Sequence, residues 1–416
     1  MMSKVQHIIR NNSSKVMSLL DQSIVSGSNF LLAILISTFG SVELYGEFSL
    51  IWLGFLFLHG AFTSYTGMSF LVLAQKEDDA DLFCSNNMIL VNRLIIILLP
   101  VFILIAISVQ FSTSWFTSWT TVICAPTTIL LYVKHEQHRR FYFAKDHKLN
   151  VIFIDIIIYI LPLPLIAGLY FVNALSLSNI FLGLMVTALL SNILFHIKSG
   201  ESFTIKSEQL PWRKNWDYGK YLLATNIAQW SSSNYLLIAV SVLLGAKAVG
   251  IIRMIQNIMG ILHIFFITLE NVVPAKASFL LHQHSANHFK TYMRAVARKS
   301  SIFFLAVLGA MFFFKTEIIN LIYGQELMQF DYIFAGFIGL YVLVFIGTLL
   351  QIYLKTIEKN QGLLLAYIVS TVVSLLSANY LIENYHLTGY IIGLVTFQLI
   401  SIATYLVYLR KVNLSL

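Results

Sequence analysis

The sequence predicts an all-α membrane protein of about twelve transmembrane helices, arranged as two pseudo-symmetric six-helix bundles around a central cavity. Three observations predict it. Of 416 residues, 58% are hydrophobic and only 11% charged, too apolar a chain to hide in one soluble core. The apolar residues come in runs of about 20, the length of a helix crossing a bilayer, and lack the alternating pattern of a barrel strand. Lys and Arg gather in alternate connections.

Taken in order, the first span, 18–40, follows a polar basic segment carrying Lys4, Arg10 and Lys15. It is too long for a signal peptide and lacks a small-x-small cleavage site, so it is expected to remain as a helix. Spans at 47–73 and 84–109 follow, interrupted by Gly60, Gly67 and Asn92-Arg93. The fourth, 115–133, stops where Lys134 opens a basic stretch, and 149–171 and 177–197 complete the first half (1–197). Residues 198–220 are the longest polar segment, and Pro211-Trp212-Arg213-Lys214-Asn215-Trp216 interleaves tryptophan with cations as the headgroup layer favours. They read as a linker, interfacial or simply solvated. The second half (221–416) holds spans at 221–244, 249–271, 295–314, 330–354, 362–382 and 388–409. Pro274 is expected to end the eighth.

With both termini placed in the cytoplasm, 23 of the 27 cationic side chains fall on the cytoplasmic side. Lys247 and Lys315 fall outside, and Arg93 and Arg253 lie within spans. The net charge of +8 therefore suits a membrane surface better than a nucleic acid, and membrane lipids are the expected surroundings.

The halves resemble each other. Ser28-Asn29-Phe30-Leu31-Leu32 matches Ser233-Asn234-Tyr235-Leu236-Leu237, and the same offset carries Gly40 onto Gly245. Dropping one residue then aligns Gly46 with Gly250 and Leu58-His59 with Leu262-His263. Six helices per half give parallel repeats, a known transporter plan.

Gly40-x5-Gly46, its echo Gly245-x4-Gly250, and the stretch Glu136-Gln137-His138-Arg139-Arg140-Phe141-Tyr142-Phe143-Ala144 leading to Asp155-x3-Tyr159 resemble polysaccharide transporters. These are the Wzx-type O-antigen and capsule flippases of the multidrug/oligosaccharidyl-lipid/polysaccharide exporter superfamily. The resemblance spans the chain in length, helix count and two-half plan, and its motifs are soft. It implies a protein of the bacterial inner membrane, working beside a polysaccharide polymerase and a chain-length regulator. The implied substrate is an undecaprenyl-pyrophosphate-linked oligosaccharide, flipped to the periplasmic leaflet by alternating access under an ion gradient.

Charges within a bilayer cost about 2.5–3.5 kcal/mol each on insertion scales, so each is a candidate. Arg93 and Arg253 offer guanidinium donors to an anionic pyrophosphate, against a reading in which they snorkel to the interface. Repeat-equivalent His59 and His263 could touch phosphate or sense protons, and Asn29 and Asn234 could meet sugar hydroxyls; ordinary interhelical hydrogen bonds are the plainer reading. Asp155 and Tyr159 share a helical face and suit an ion pair with an arginine or a coupling proton or cation. Asp21, Lys220 and Glu270 lie near cytoplasmic span ends, as gate pairs or as ordinary interfacial charges. Neither a cofactor nor a metal is expected: Cys84 and Cys124 read as packing residues, and His282, His284 and His288 lack ligand spacing.

Two rivals stand beside this. A cation-coupled multidrug antiporter of the same superfamily would want acidic groups in its cavity, whereas the deepest charge in the sequence is Arg93. A membrane glycosyltransferase or polymerase would need a large external loop, and the longest runs only from about Lys315 to Gln329, without paired carboxylates or a phosphate loop.

Overall fold

The computed structural model describes residues 2–113, 118–200, 210–283, 285–357 and 359–413. Among them it is nearly all helix, without strands. Two compact units divide between Ile227 and Ala228.

In the first unit α1 (Met2–Phe39) and α2 (Val42–Phe62) meet at Gly40, with Ser41 capping α2 by accepting from the Leu44 amide at 3.0 Å. The second span does not break at its glycines. It continues through two π-helical turns, Thr63–Gly67 and Ser69–Leu73, to Lys76. Then come α3 (Ala80–Thr113), α4 (Trp119–Ala144), α5 (Lys148–Asp155), a π turn (Ile156–Ile160), α6 (Pro162–Phe171) and α7 (Leu177–Ser199). The π turn and α6 complete the fifth span. Pro162 has no N–H to give the carbonyl of Ile158, and the buried Tyr132 hydroxyl donates to that oxygen at 3.0 Å instead.

The fourth helix departs from expectation. Its helix runs to Ala144, eleven residues past the predicted end, and Lys134 through His138 are buried, with His135, Gln137 and His138 at 0% exposure. The basic stretch read as a cytoplasmic loop is thus helical and packed, because its charges find partners inside the unit.

Residues 212–220, expected in the linker, are the first turns of α8 (Trp212–Leu244). Residues 201–209 of that linker lie outside the described residues. Gly219 lets α8 approach closely: a Cβ there would stand 2.6 Å from the Ser64 carbonyl oxygen. Asn215 donates to the Asn87 Oδ1 at 2.7 Å with both side chains fully buried, and Asn87 donates to the Thr66 carbonyl at 3.1 Å.

The second unit contains the rest of α8, then α9 (Ala246–Met259), a 3-10 turn (Gly260–Leu262), α10 (His263–Gln283), α11 (Ala286–Phe313), α12 (Lys315–Tyr323), a 3-10 turn (Gln325–Phe330), α13 (Asp331–Thr356) and α14 (Asn360–Asn413). Gly245, at φ +83°, joins α8 to α9 as Gly40 joins α1 to α2, so both repeat glycines occupy helix junctions. The eighth span is bent by 45° at Leu262–Phe265, where repeat-equivalent His263 sits. It does not end at Pro274: α10 passes through that proline to Gln283 while Val273 and Ala277 pack with Phe289, Met293 and Ile352. α14 covers the eleventh and twelfth spans and breaks at His386, whose φ of 51° and ψ of −129° are not helical. Ser370 and Ser401 join its two arms at 2.8 Å. Each of the twelve predicted spans therefore coincides with one helix, one bent or bulged helix, or one arm of α14.

Candidate functional site

The first unit holds a buried ion network built from four helices. Asp21 comes from α1, His135, Glu136 and Arg139 from α4, Asp155 and Tyr159 from α5 and its π turn, and Ser191 from α7. Residues 132, 135, 136 and 139 follow the spacing that lines one face of a helix, and α4 is packed against α5 and α7 on that face.

Arg139 lies at the centre. Its Nη2 meets Asp21 Oδ2 at 2.8 Å, its Nη1 meets Glu136 Oε2 at 2.9 Å, and its Nε meets Asp155 Oδ2 at 3.1 Å. The three partners are held from their other sides. The Tyr159 hydroxyl donates to Glu136 Oε1 at 2.6 Å, and His135 Nε2 shares a proton position with Asp155 Oδ1 at 2.8 Å. The opposite ring nitrogen of His135 meets Ser191 Oγ at 2.9 Å, and Ser191 donates onward to the Ile154 carbonyl at 3.2 Å. Burial is close to complete: the Asp155 and His135 side chains are inaccessible and the Arg139 side chain is 12% exposed.

The charges do not balance within the cluster. Three carboxyl groups converge on one guanidinium and one imidazole, in surroundings where unpaired charge is strongly disfavoured. The Asp21 and Asp155 carboxyls lie within hydrogen-bonding reach of each other; among the described residues Asp155 Oδ2 makes no hydrogen bond, and neither does the buried Asp21 Oδ1. A single proton between the two acids would relieve the excess negative charge and satisfy that oxygen.

The second unit carries a polar group of opposite sign. Arg253 on α9 donates through Nη1 to Gln256 Oε1 at 3.1 Å, and Gln256 Nε2 donates to the hydroxyl of the buried Tyr390 at 2.9 Å. Arg253 Nη2 is buried and makes no hydrogen bond among the described residues. Nearby in sequence, Asn257 donates to the Tyr323 hydroxyl at 3.1 Å.

The sequence-predicted candidates fall into three groups. Asp21, Asp155 and Tyr159 are brought together in one network. Arg253 and Arg93 are half-buried on α9 and α3 respectively. His59 packs against the Phe55 ring at 5.6 Å with its Nδ1 buried and, among the described residues, unbonded, within electrostatic reach of Glu136. The remaining candidates stand apart from both sites. Asn29, His263 and Glu270 are exposed. Asn234 donates to the Trp230 carbonyl of its own helix at 3.0 Å, and Lys220 pairs with Asp217 at 3.4 Å near the surface. Of the three loop histidines, His284 lies outside the described residues, while His288 is exposed beside Ser285. Among the described residues, no group of three or more His, Cys, Asp or Glu is arranged to hold a metal ion.

Sequence reasoning missed His135, Glu136 and Arg139 as members of the site. The available signal was the absence of any turn-forming residue between Val133 and Lys145, which permits the fourth helix to continue.

No protein-family model and no curated protein matches this chain. Solved structures do match its fold. An inward-facing multidrug resistance MATE family transporter of the MOP superfamily superposes with a TM-score of 0.77 at 12% identity, over 96% of this chain and 98% of that one. A MOP superfamily transporter from Pyrococcus furiosus, described for the reverse polarity of its binding pocket, gives 0.65 at 12% identity over 96% and 94%. The outward-facing form of a multidrug resistance MATE family transporter gives 0.64 at 12% identity over the same shares. The two-bundle fold of those transporters is the fold of this chain.

Proposed function

We propose that this protein is a cation-coupled secondary transporter of the multidrug-antiporter type, in which the acid cluster of the first unit exchanges the coupling proton. The carrying observation is the convergence of Asp21, Glu136 and Asp155 on one buried site. The sequence alone argued against an antiporter because its deepest charge was an arginine. Burial of three carboxyl groups removes that argument, and likeness to multidrug transporters over nearly the whole chain supports the same reading. Asp21 and Asp155 hold the exchangeable proton, Arg139 and His135 set the charge around it, and Tyr159 and Ser191 fix the orientation of their neighbours.

The test is uptake of a cationic dye into proteoliposomes under an imposed pH gradient. Dye exchange that follows the proton gradient and is lost in Asp155→Asn supports the proposal. Exchange indifferent to the gradient in the wild type overturns it.

A second reading, flipping of an undecaprenyl-pyrophosphate-linked oligosaccharide, is favoured by one feature. Arg253 keeps a buried guanidinium N–H without a partner among the described residues, a donor suited to phosphate oxygen. Accumulation of lipid-linked sugar units in a strain lacking the gene, with loss of surface polysaccharide, would select this reading. New sensitivity to cationic drugs with surface polysaccharide intact would select the antiporter.

A further inference from the structure

Given that the cluster serves as the coupling site, its geometry selects which cation it accepts. A hard metal cation is held by about six to eight oxygens, and a fixed positive charge already standing among those oxygens repels it. The cluster supplies six carboxylate oxygens from Asp21, Glu136 and Asp155. Four of them hydrogen-bond within 3.1 Å, namely Asp21 Oδ2, both oxygens of Glu136 and Asp155 Oδ1, and Asp155 Oδ2 lies 3.1 Å from Arg139 Nε as an ion pair. The central place among the three carboxyl groups is filled by a guanidinium that stays charged at any physiological pH. Among the described residues Asp21 Oδ1 and Asp155 Oδ2 are the buried carboxyl oxygens without a hydrogen bond, their carboxyls lie within hydrogen-bonding reach of each other, and the space between them suits a proton.

We infer that Arg139 is a resident cation, covalently tethered in the position a metal ion would take, so that the site exchanges protons and excludes sodium, lithium and potassium. The groups facing it complete the account: Asp21 from α1, His59 from α2, His135, Glu136 and Arg140 from α4, and Asp155 with Tyr159 from α5 and its π turn. Among the described residues, none of these groups directs at the guanidinium a neutral oxygen of the kind that fills a metal's coordination shell; Tyr159 is committed to Glu136. Removing the guanidinium would leave three carboxyl groups from three helices directed at one vacant centre, the arrangement that recruits a hard cation.

The experiment uses the full chain in detergent and reads thermal unfolding in choline, sodium, lithium and potassium chlorides at equal ionic strength and fixed pH. The wild type is expected to unfold at one temperature in all four salts. Arg139→Met is expected to unfold earlier in choline and to regain several degrees, saturably, with sodium or lithium. Arg139→Lys, which retains a tethered charge, is expected to stay indifferent to the salt. A saturable stabilisation of the wild type by sodium or lithium overturns the inference, as does a folded Arg139→Met that ignores both ions. If Arg139→Met does not accumulate, equilibrium dialysis of the wild type against radioactive sodium decides: no retained ion is expected, and one ion per chain overturns it. Because binding is read and not transport, failure of the dye-exchange test would leave this result standing, and the two failures stay distinct.

Discussion

The Tyr159 hydroxyl donates to Glu136 Oε1 at 2.6 Å, joining the π turn after α5 to α4 inside the bundle. Hydrogen bonds to an ionised acceptor are the stronger kind, with net contributions of about 1.5–3 kcal/mol. Tyr159→Phe keeps the ring and removes only this bond. It is expected to lower unfolding stability by about 1.5–3 kcal/mol, measured by thermal unfolding in detergent. A loss too small to resolve would show that Glu136 finds another donor.

Asn215 and Asn87 provide a second test. Each single alanine variant strands a buried amide, at a cost of about 1–3 kcal/mol, because both side chains are fully buried. The double variant Asn87→Ala with Asn215→Ala is expected to cost less than the two singles combined, since no orphan remains between them. A double-mutant cycle read by unfolding free energy checks this, and strict additivity would remove the pair from the account of how α8 is held.

Two glycines should behave oppositely. At Gly219 an added methyl meets the Ser64 carbonyl oxygen, which is backbone and cannot swing aside, so Gly219→Ala is expected to destabilise by about 1–3 kcal/mol. At Gly183, within α7, nothing lies within 4 Å of the added atom, and alanine is expected to be neutral or to stabilise by up to about 1 kcal/mol. Comparison of the two unfolding temperatures checks the sign of each.

Arg253→Gln keeps hydrogen-bonding capacity and removes the charge. If the second unit receives an anionic group, this variant should abolish transport of a pyrophosphate-bearing lipid while leaving the protein level unchanged, and Arg253→Lys should retain a measurable fraction. An antiporter of cationic drugs should transport as well or better with the glutamine. Parallel transport assays on the two variants discriminate between these outcomes.

The helices were legible because their cause is local: a run of about 20 apolar residues must span, whatever surrounds it. The π turns at Thr63–Gly67 and Ile156–Ile160 and the bend between Leu262 and Phe265 deform their spans without hiding one. The site was legible in part. Asp21, Asp155 and Tyr159 stood out as polar groups against apolar sequence. His135, Glu136 and Arg139 did not, because a dense run of charge is normally solvated, and only partial mutual neutralisation across three helices keeps this one inside. That neutralisation is a tertiary property. Pro274 misled for a related reason: the packing of Val273 and Ala277 with Phe289 outweighs the local cost of carrying a proline inside a helix.

The two successive π turns at Thr63–Gly67 and Ser69–Leu73 carry a mechanical consequence. Each stores one residue more than an α turn of the same length. Were one of them to relax to α geometry, the segment beyond it, Ala74–Lys76, would be rotated by about 100° and advanced by about 1.5 Å, while everything before Phe62 kept its packing. The second helix is in effect a screw thread with spare pitch wound into it at the level where Gly219 bears on Ser64, and releasing that pitch would swing its tip without unfolding a single turn.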